Sequence, residues 1–251
     1  MSLRWFEQAL ALVLFTMATI FPSAQAETVP PEASAGLLYS YEVDRQAEFE
    51  QGYKSHLDWH RAAGDQLPWY GWIVTSGARP GTFVDGTFAP IEALDRRPRL
   101  SEDGVDFART VRPFVRPTRQ DTLALWTEAS TTFLLEARTP TPEMDVYKVE
   151  PLPGHDADFR KILISIVHKR RAGGLGWTWY RQLVGGELPS YILLVPRTSL
   201  NDRALCNEGS LMSLVMAVTG VREERARAVD RVARITVSET WSLRRDLSLG
   251  L

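Results

Sequence analysis

The 251-residue chain reads as an α+β protein made from one βαββαβ unit used twice, its two antiparallel sheets packed face to face as a barrel closed within the chain. Three observations predict this. The stretch "LPWYGWIVTSGARPGTFVDGTF" (67–88) aligns without a gap on "LGWTWYRQLVGGELPSYILLVP" (175–196) at an offset of 108 residues. Trp69 and Trp177 are each followed eight residues later by a glycine, Gly77 and Gly185, and Phe83 falls where the second copy has Tyr191. The same order of elements surrounds both hairpins. Finally, the hairpin strands are apolar or aromatic on both faces, as expected where helices cover one face of a sheet and a second sheet covers the other.

The elements follow in order. Arg4, the apolar run "ALALVLFTMATIF" (9–21) and the small residues Ala24 and Ala26 before Glu27 have the layout of a signal peptide over 1–26. The run is shorter than the roughly 20 residues that span a membrane. The expectation is an exported protein, periplasmic or extracellular, with no membrane attachment after cleavage. Residues 27–36, "ETVPPEASAG", read as a disordered leader. The first module, 37–140, opens with the alternating strand "LLYSYEVD". A helix over 46–63 carries Phe49, Tyr53, His56, Leu57 and His60 at helical spacing. After the hairpin, "SEDGVDFARTVRPFV" starts a helix at Ser101 with an acid-rich first turn, and "TLALWTEASTTFLLEA" is extended. The second module, 141–251, has strand "DVYKVEPL", helix "DADFRKILISIVHKRR", the second hairpin, helical "SLNDRALCNEGSLMSLVMAVTG" and "REERARAVDRVAR", and the strand "ITVSETWSLRRDLS". The single cysteine, Cys206, excludes an intramolecular disulfide.

A βαββαβ unit repeated in one chain resembles the tandem ferredoxin-like modules of the dimeric α/β-barrel superfamily. The segments "HLDWH…LPWYGW…G…FVDGTF" and "WTWYR…GG…PSYILLVPR" also resemble an exported bacterial family of uncharacterised function. They cover roughly a third of the chain. The superfamily spans cofactor-free monooxygenases, haem enzymes, decyclising lyases and binding domains, so the resemblance implies a fold and no single activity. A chain holding both modules can close its own barrel, and a monomer is expected.

A net charge of −2 with acids and bases mixed argues against a nucleic-acid partner, and the short cluster "HKRRAGG" does not change that. No G-x-S-x-G or phosphate loop is present.

The period of two places Trp69, Gly71, Ile73, Phe83 and Asp85 on one face, with Trp177, Trp179, Arg181, Tyr191 and Leu193 equivalent. Tyr70, Trp72, Val74, Val84 and Phe88 occupy the other, with Tyr180, Ile192 and Leu194. If the turns centre near Arg79 and Glu187, Asp85 lies opposite Ile73, on the rung that holds Arg181 in the second copy. The face bearing these charges is expected to point into the barrel, where they would pair or line a cavity. The pocket candidates are Asp85, Arg181, Trp69, Trp177, Trp179, His60 and His168.

His56 and His60, four apart, share a helix face, but a metal site needs a third ligand and no HExxH motif supplies one. They are expected to be ordinary half-buried histidines, with no metal. The resemblance makes His60 or His168 a formal axial ligand for haem, but no haem motif is visible and no cofactor is expected. The favoured function is binding of a small organic molecule in an aromatic cavity between the sheets. A cofactor-free oxygenase or lyase in that cavity and a structural module with a filled barrel are the alternatives.

Overall fold

The computed structural model describes residues 34–131, 140–167, 176–198 and 210–251. Strands β1 (Ser34–Val43), β2 (Tyr70–Gly77), β3 (Phe83–Pro90) and β4 (Val115–Leu125) come from the first half of the chain, and β5 (Glu143–Pro151), β6 (Thr178–Val184), β7 (Tyr191–Arg197) and β8 (Ala233–Leu243) from the second. They close into one ring in the order β1-β3-β2-β8-β5-β7-β6-β4, antiparallel throughout. Helices α1 (Gln46–Ala63), α2 (Ile91–Asp95) and α3 (Leu100–Thr110) belong to the first half, and α4 (Asp156–Val167), α5 (Leu211–Thr219) and α6 (Glu223–Asp230) to the second. The expected fold class is therefore the observed one. Among the described residues no helix is long and apolar enough to cross a membrane.

The repeat extends beyond the hairpins. The β1–β4 pairing shifts register at Ser40/Tyr41 and the β5–β8 pairing at Lys148/Val149, again 108 residues apart. Helix α1 is offset from α4 by two residues more. Phe49 of α1 meets Phe83 with ring centroids 4.9 Å apart, and Phe159 of α4 meets the equivalent Tyr191 at 5.1 Å. Phe49 thus corresponds to Phe159, Tyr53 to Leu163 and His56 to Ile166.

The two halves join at β2–β8 and β4–β6, and the joints are built alike. Gly77 ends β2 at φ 104° and Gly185 follows β6 at φ 105°, a region open to glycine and strained for other residues. A Cβ at Gly77 would run into the Ser238 carbonyl of β8, and one at Gly185 into Gln120 and Asp121 of β4. Beside each glycine stands a buried acid, Glu239 or Asp121, four residues before the end of its strand. Arg79 grips Glu239 through Nε and Nη2 at 2.8 and 2.9 Å, and Arg119 holds Asp121 at 2.6 Å. Each closing strand then continues over the opposite half. After β8, Trp69 and Leu249 exchange backbone hydrogen bonds, the Gly71 amide donates to Ser248 Oγ at 2.9 Å, and Leu247 enters the first-half core. After β4, the Trp126 amide donates to the Trp179 carbonyl, the Trp179 amide donates to Ser130 Oγ at 2.9 Å, and Ala129 enters the second-half core.

Three corrections to the sequence reading follow. Ser34–Gly36, assigned to the leader, are the start of β1 and pair with Phe88–Pro90; glycine is needed at 36 because an added Cβ would strike the Phe88 ring at 2.6 Å. The two strand faces are grouped as expected but inverted. Tyr70, Trp72, Val84, Phe88, Tyr180, Ile192 and Trp241 fill the barrel interior, while Asp85 and Arg181 share the helix-covered outside with Phe83 and Tyr191. The register is also displaced by two residues, so that Asp85 faces Gly71 and Phe83 faces Ile73. Among the described residues, the space seen inside the barrel is a void of about 30 Å³ at its joint-side end, room for little more than one water.

Residues 1–33 lie outside the described residues, and with them the signal peptide and most of the leader, as do His168 and Cys206. If the glycines are what lets the joints close, Gly77→Ala and Gly185→Ala should each lower unfolding free energy by about 2 kcal/mol or more, combining strain with a backbone clash. Urea denaturation of the two variants against the parent checks this, and wild-type midpoints would contradict it.

Candidate functional site

With the barrel interior filled, space for a ligand lies between the outer face of the first-half sheet and its helices. There α1 and α3 stand away from β1, β3 and β4 to leave a cavity of about 490 Å³, within the usual range for small-molecule sites. Helix α1 presents Tyr53, His56 and His60 to it, because residues three and four apart share a helix face. Helix α3 brings Asp103 and Phe107 across from the opposite side. It begins after Arg99, which has φ 58° and whose guanidinium lies 5.4 Å from the Trp59 ring of α1.

Asp85 on β3 is the charged group of the cavity floor and is 5% exposed. Tyr53 Oη donates to its Oδ2 at 2.9 Å, while Oδ1 finds no hydrogen-bond partner. Burial pushes this carboxyl up to about 7, against the opposing effect of the Tyr53 hydrogen bond; the charge of Asp103 adds to the rise. The hydroxyls of Tyr53 and Tyr41 are pushed up as well, by burial first and then by the nearby Asp85. Arg97 stacks over Trp69 at 5.5 Å, with its Nε buried and unpartnered.

Beside this floor is an ordered array of imidazoles and carboxylates. His56 Nδ1 is 2.9 Å from Asp106 Oδ2, and His60 Nδ1 is 2.8 Å from Asp65 Oδ2. Asp65 is itself fixed by the Leu67 amide and by Trp69 Nε1 at 2.9 and 3.1 Å. Burial would raise its pKa, but these hydrogen bonds together with His60 bring it down to about 2. The other ring nitrogens converge: His56 Nε2 and His60 Nε2 lie 3.3 and 3.5 Å from the same oxygen, Asp103 Oδ1.

Of the residues singled out from sequence, the structure brings together Asp85, Trp69 and His60. It does not bring Arg181 to them. Arg181 pairs across the other hairpin with Tyr191, on the helix side of the second half, so no rung holds both charges. Trp177 and Trp179 are fully buried core, their rings 5.5 Å apart and packed with Phe159 and Trp126. His168 lies outside the described residues. Sequence reasoning missed Asp103, Asp106 and Asp65. The signal was present, since Asp103 and Asp106 are three apart on one face of a helix, but nothing in one dimension shows that this face meets His56 and His60.

The second half is an internal control. The positions equivalent to Tyr53, His56, Asp85 and Gly71 hold Leu163, Ile166, Leu193 and Trp179, all buried and apolar. Among the described residues, the positions that line the polar cavity of the first half are filled by core side chains in the second.

No family model matches this chain, and no curated protein does. Solved structures do. A protein provisionally assigned as a chlorite dismutase superposes with a TM-score of 0.56 at 10% identity, over 85% of this chain and 96% of its own. A provisionally assigned monooxygenase from Lactobacillus acidophilus gives 0.51 at 15% identity, over 86% and 96%. A heme-binding protein from Thermus thermophilus gives 0.51 at 9% identity, over 87% and 96%. At these identities the likeness shows the shared fold, the tandem ferredoxin-like barrel.

Haem, which one of these structurally similar proteins binds, does not fit the donors of this cavity. An axial histidine must offer one imidazole nitrogen to an open slot, whereas both Nε2 atoms are covered by the Asp103 carboxylate.

The raised Asp85 pKa has a consequence for stability. The folded state holds this proton up to about pH 7 while the unfolded chain releases it near pH 4, so stability should fall as pH rises through that window. The full effect is at most ~4 kcal/mol. Asp85→Asn removes it, and the variant's advantage over the parent in denaturant titrations should grow from pH 4.5 to pH 8; a constant difference would refute the shift.

Proposed function

We propose that the first-half cavity binds a small planar organic molecule and that Asp85 acts on it as a general base. One observation carries this reading: a buried carboxylate with one unpartnered oxygen on the wall of a ligand-sized cavity, at a position where the other half of the same fold holds Leu193. A base working near neutral pH should have a pKa close to 7, and burial brings Asp85 there. In the proposed step a proton leaves an acidic carbon or hydroxyl of the ligand for Asp85 Oδ1. The electron pair stays on the ligand as an enolate or phenolate. Tyr53 keeps the carboxylate oriented through Oδ2, and Arg97, over the Trp69 ring, is placed to receive the developing negative charge on a ligand oxygen. The tyrosine and tryptophan walls suit a flat apolar body. The monooxygenase assignment of one structure with this fold is compatible with such chemistry and supports no particular substrate.

The enolisable bicyclic ketone 2-tetralone tests the step. In deuterated buffer the protein should accelerate exchange of its α-protons, followed by NMR, with saturation in ketone. Asp85→Asn should lower the catalysed rate by about 10²–10⁴-fold. Exchange no faster than in buffer, or equally fast with the variant, would overturn the assignment of Asp85.

A further inference from the structure

We infer that His56, His60 and Asp103 form a binding site for a divalent first-row transition-metal ion on the wall of this cavity. The inference goes beyond the Asp85 reading and does not rest on it. It starts from hydrogen-bond accounting. A neutral imidazole has one N–H and one lone pair. His56 and His60 each turn Nδ1 to a carboxylate, Asp106 and Asp65, which only accepts. With Nδ1–H donated, both Nε2 atoms present lone pairs, and both face a third acceptor, Asp103 Oδ1. Three acceptors aimed at one point repel one another unless a cation sits among them.

The spacing suits a metal ion. The three donor atoms lie within 4.8 Å of one another. Two of the edges are 3.3 and 3.5 Å, and ligands bound at ~2.1 Å in a tetrahedral site stand about 3.4 Å apart. The outer arrangement also matches. Metal-bound histidines commonly donate their second nitrogen to a carboxylate that fixes tautomer and ring angle, and here both do. Asp65 is in turn anchored by Trp69 and the Leu67 amide, and Asp106 by Arg109 at 2.6 Å. Two imidazoles and one carboxylate suit Zn²⁺, Fe²⁺ or Co²⁺ rather than Ca²⁺ or Mg²⁺, which prefer all-oxygen ligands.

Three protein ligands leave at least one coordination position, and the groups around it open towards the cavity. Asp103 is followed by Gly104, where an added Cβ would meet nothing within 4 Å. The fold does not require a histidine at position 56, since Ile166 fills its place in the other half. The site would therefore take an exogenous oxygen ligand, water or an organic oxygen, in the cavity that Asp85 floors.

The test uses the purified full chain, stripped with a chelator and titrated with Co²⁺ alone, without an organic ligand, so its outcome is separate from that of the ketone experiment. One equivalent should bind with micromolar affinity or better and give visible d–d bands of a low-coordinate nitrogen–oxygen site. Asp103→Asn and His60→Gln should abolish the bands. Asp65→Asn, which disturbs only a positioning residue, should weaken binding by about 10–100-fold and keep the band positions. Circular dichroism melts would confirm that each variant is folded. Absence of stoichiometric binding by the parent would overturn the site and leave the cluster as a charge-paired set of imidazolium and carboxylate groups. Bands that survive in folded Asp103→Asn and His60→Gln would overturn it as well, because the ion would then be bound elsewhere.

Discussion

Closure of the strand ring at its two joints is the constraint on which everything else in this molecule rests. A sheet edge left open exposes unpaired backbone and must be covered or paired. Here β2 finds β8 and β6 finds β4, so each half supplies the missing neighbour of the other. The joints need close approach of two backbones, which accounts for Gly77 and Gly185. They also need a polar group that can be satisfied from one direction only, which accounts for the buried Glu239 and Asp121 and their arginines. Once the ring is closed its inside is small, and rings from both halves fill it: Trp72 meets Trp241, and Phe88 meets Tyr180, at 5.7 and 5.2 Å. The cavity and its polar groups lie outside the barrel, under the helices.

The duplication separates what the architecture requires from what has been added. Both halves place an aromatic residue beneath the first helix, Phe83 or Tyr191, and a phenylalanine above it, Phe49 or Phe159. Those contacts are the fold's own. Tyr53, His56, Asp103 and Asp85 have no such excuse. Each buried polar group lacking a full set of partners costs on the order of 1–3 kcal/mol, and the second half shows that Leu163, Ile166 and Leu193 serve the architecture in the places of Tyr53, His56 and Asp85. Local departures of this kind are where function is expected to reside.

Much of this was legible in one dimension. The gapless alignment of the hairpins gives the repeat, and strict alternation gives the correct membership of each strand face. Alternation could not say which face is inside, because a sheet buried on both sides is apolar on both sides. Pairing register was equally hidden: the observed pairs centre on Ala78, one residue before Arg79, and that displaces every rung by two. The candidate site was half visible. His60, Trp69 and Asp85 stand out as unusual residues, whereas Asp65, Asp103 and Asp106 look like ordinary acids after, at the start of and within a helix. Their role depends on α3 crossing α1, a tertiary fact with no local signature.

The exchange of strand ends also has a meaning in time. As the chain is synthesised, the first half emerges with its helices, its hairpin and β4, yet the edge of β2 and part of its core stay uncovered. Leu247 and Leu249, which sit against Trp69 and Phe83, are made more than a hundred residues after them. The core of the first half is therefore complete only once the last strand has been made. The core beneath its cavity is complete only when β8 and the residues after it have paired with β2 and Trp69, so the end of the second half finishes the first.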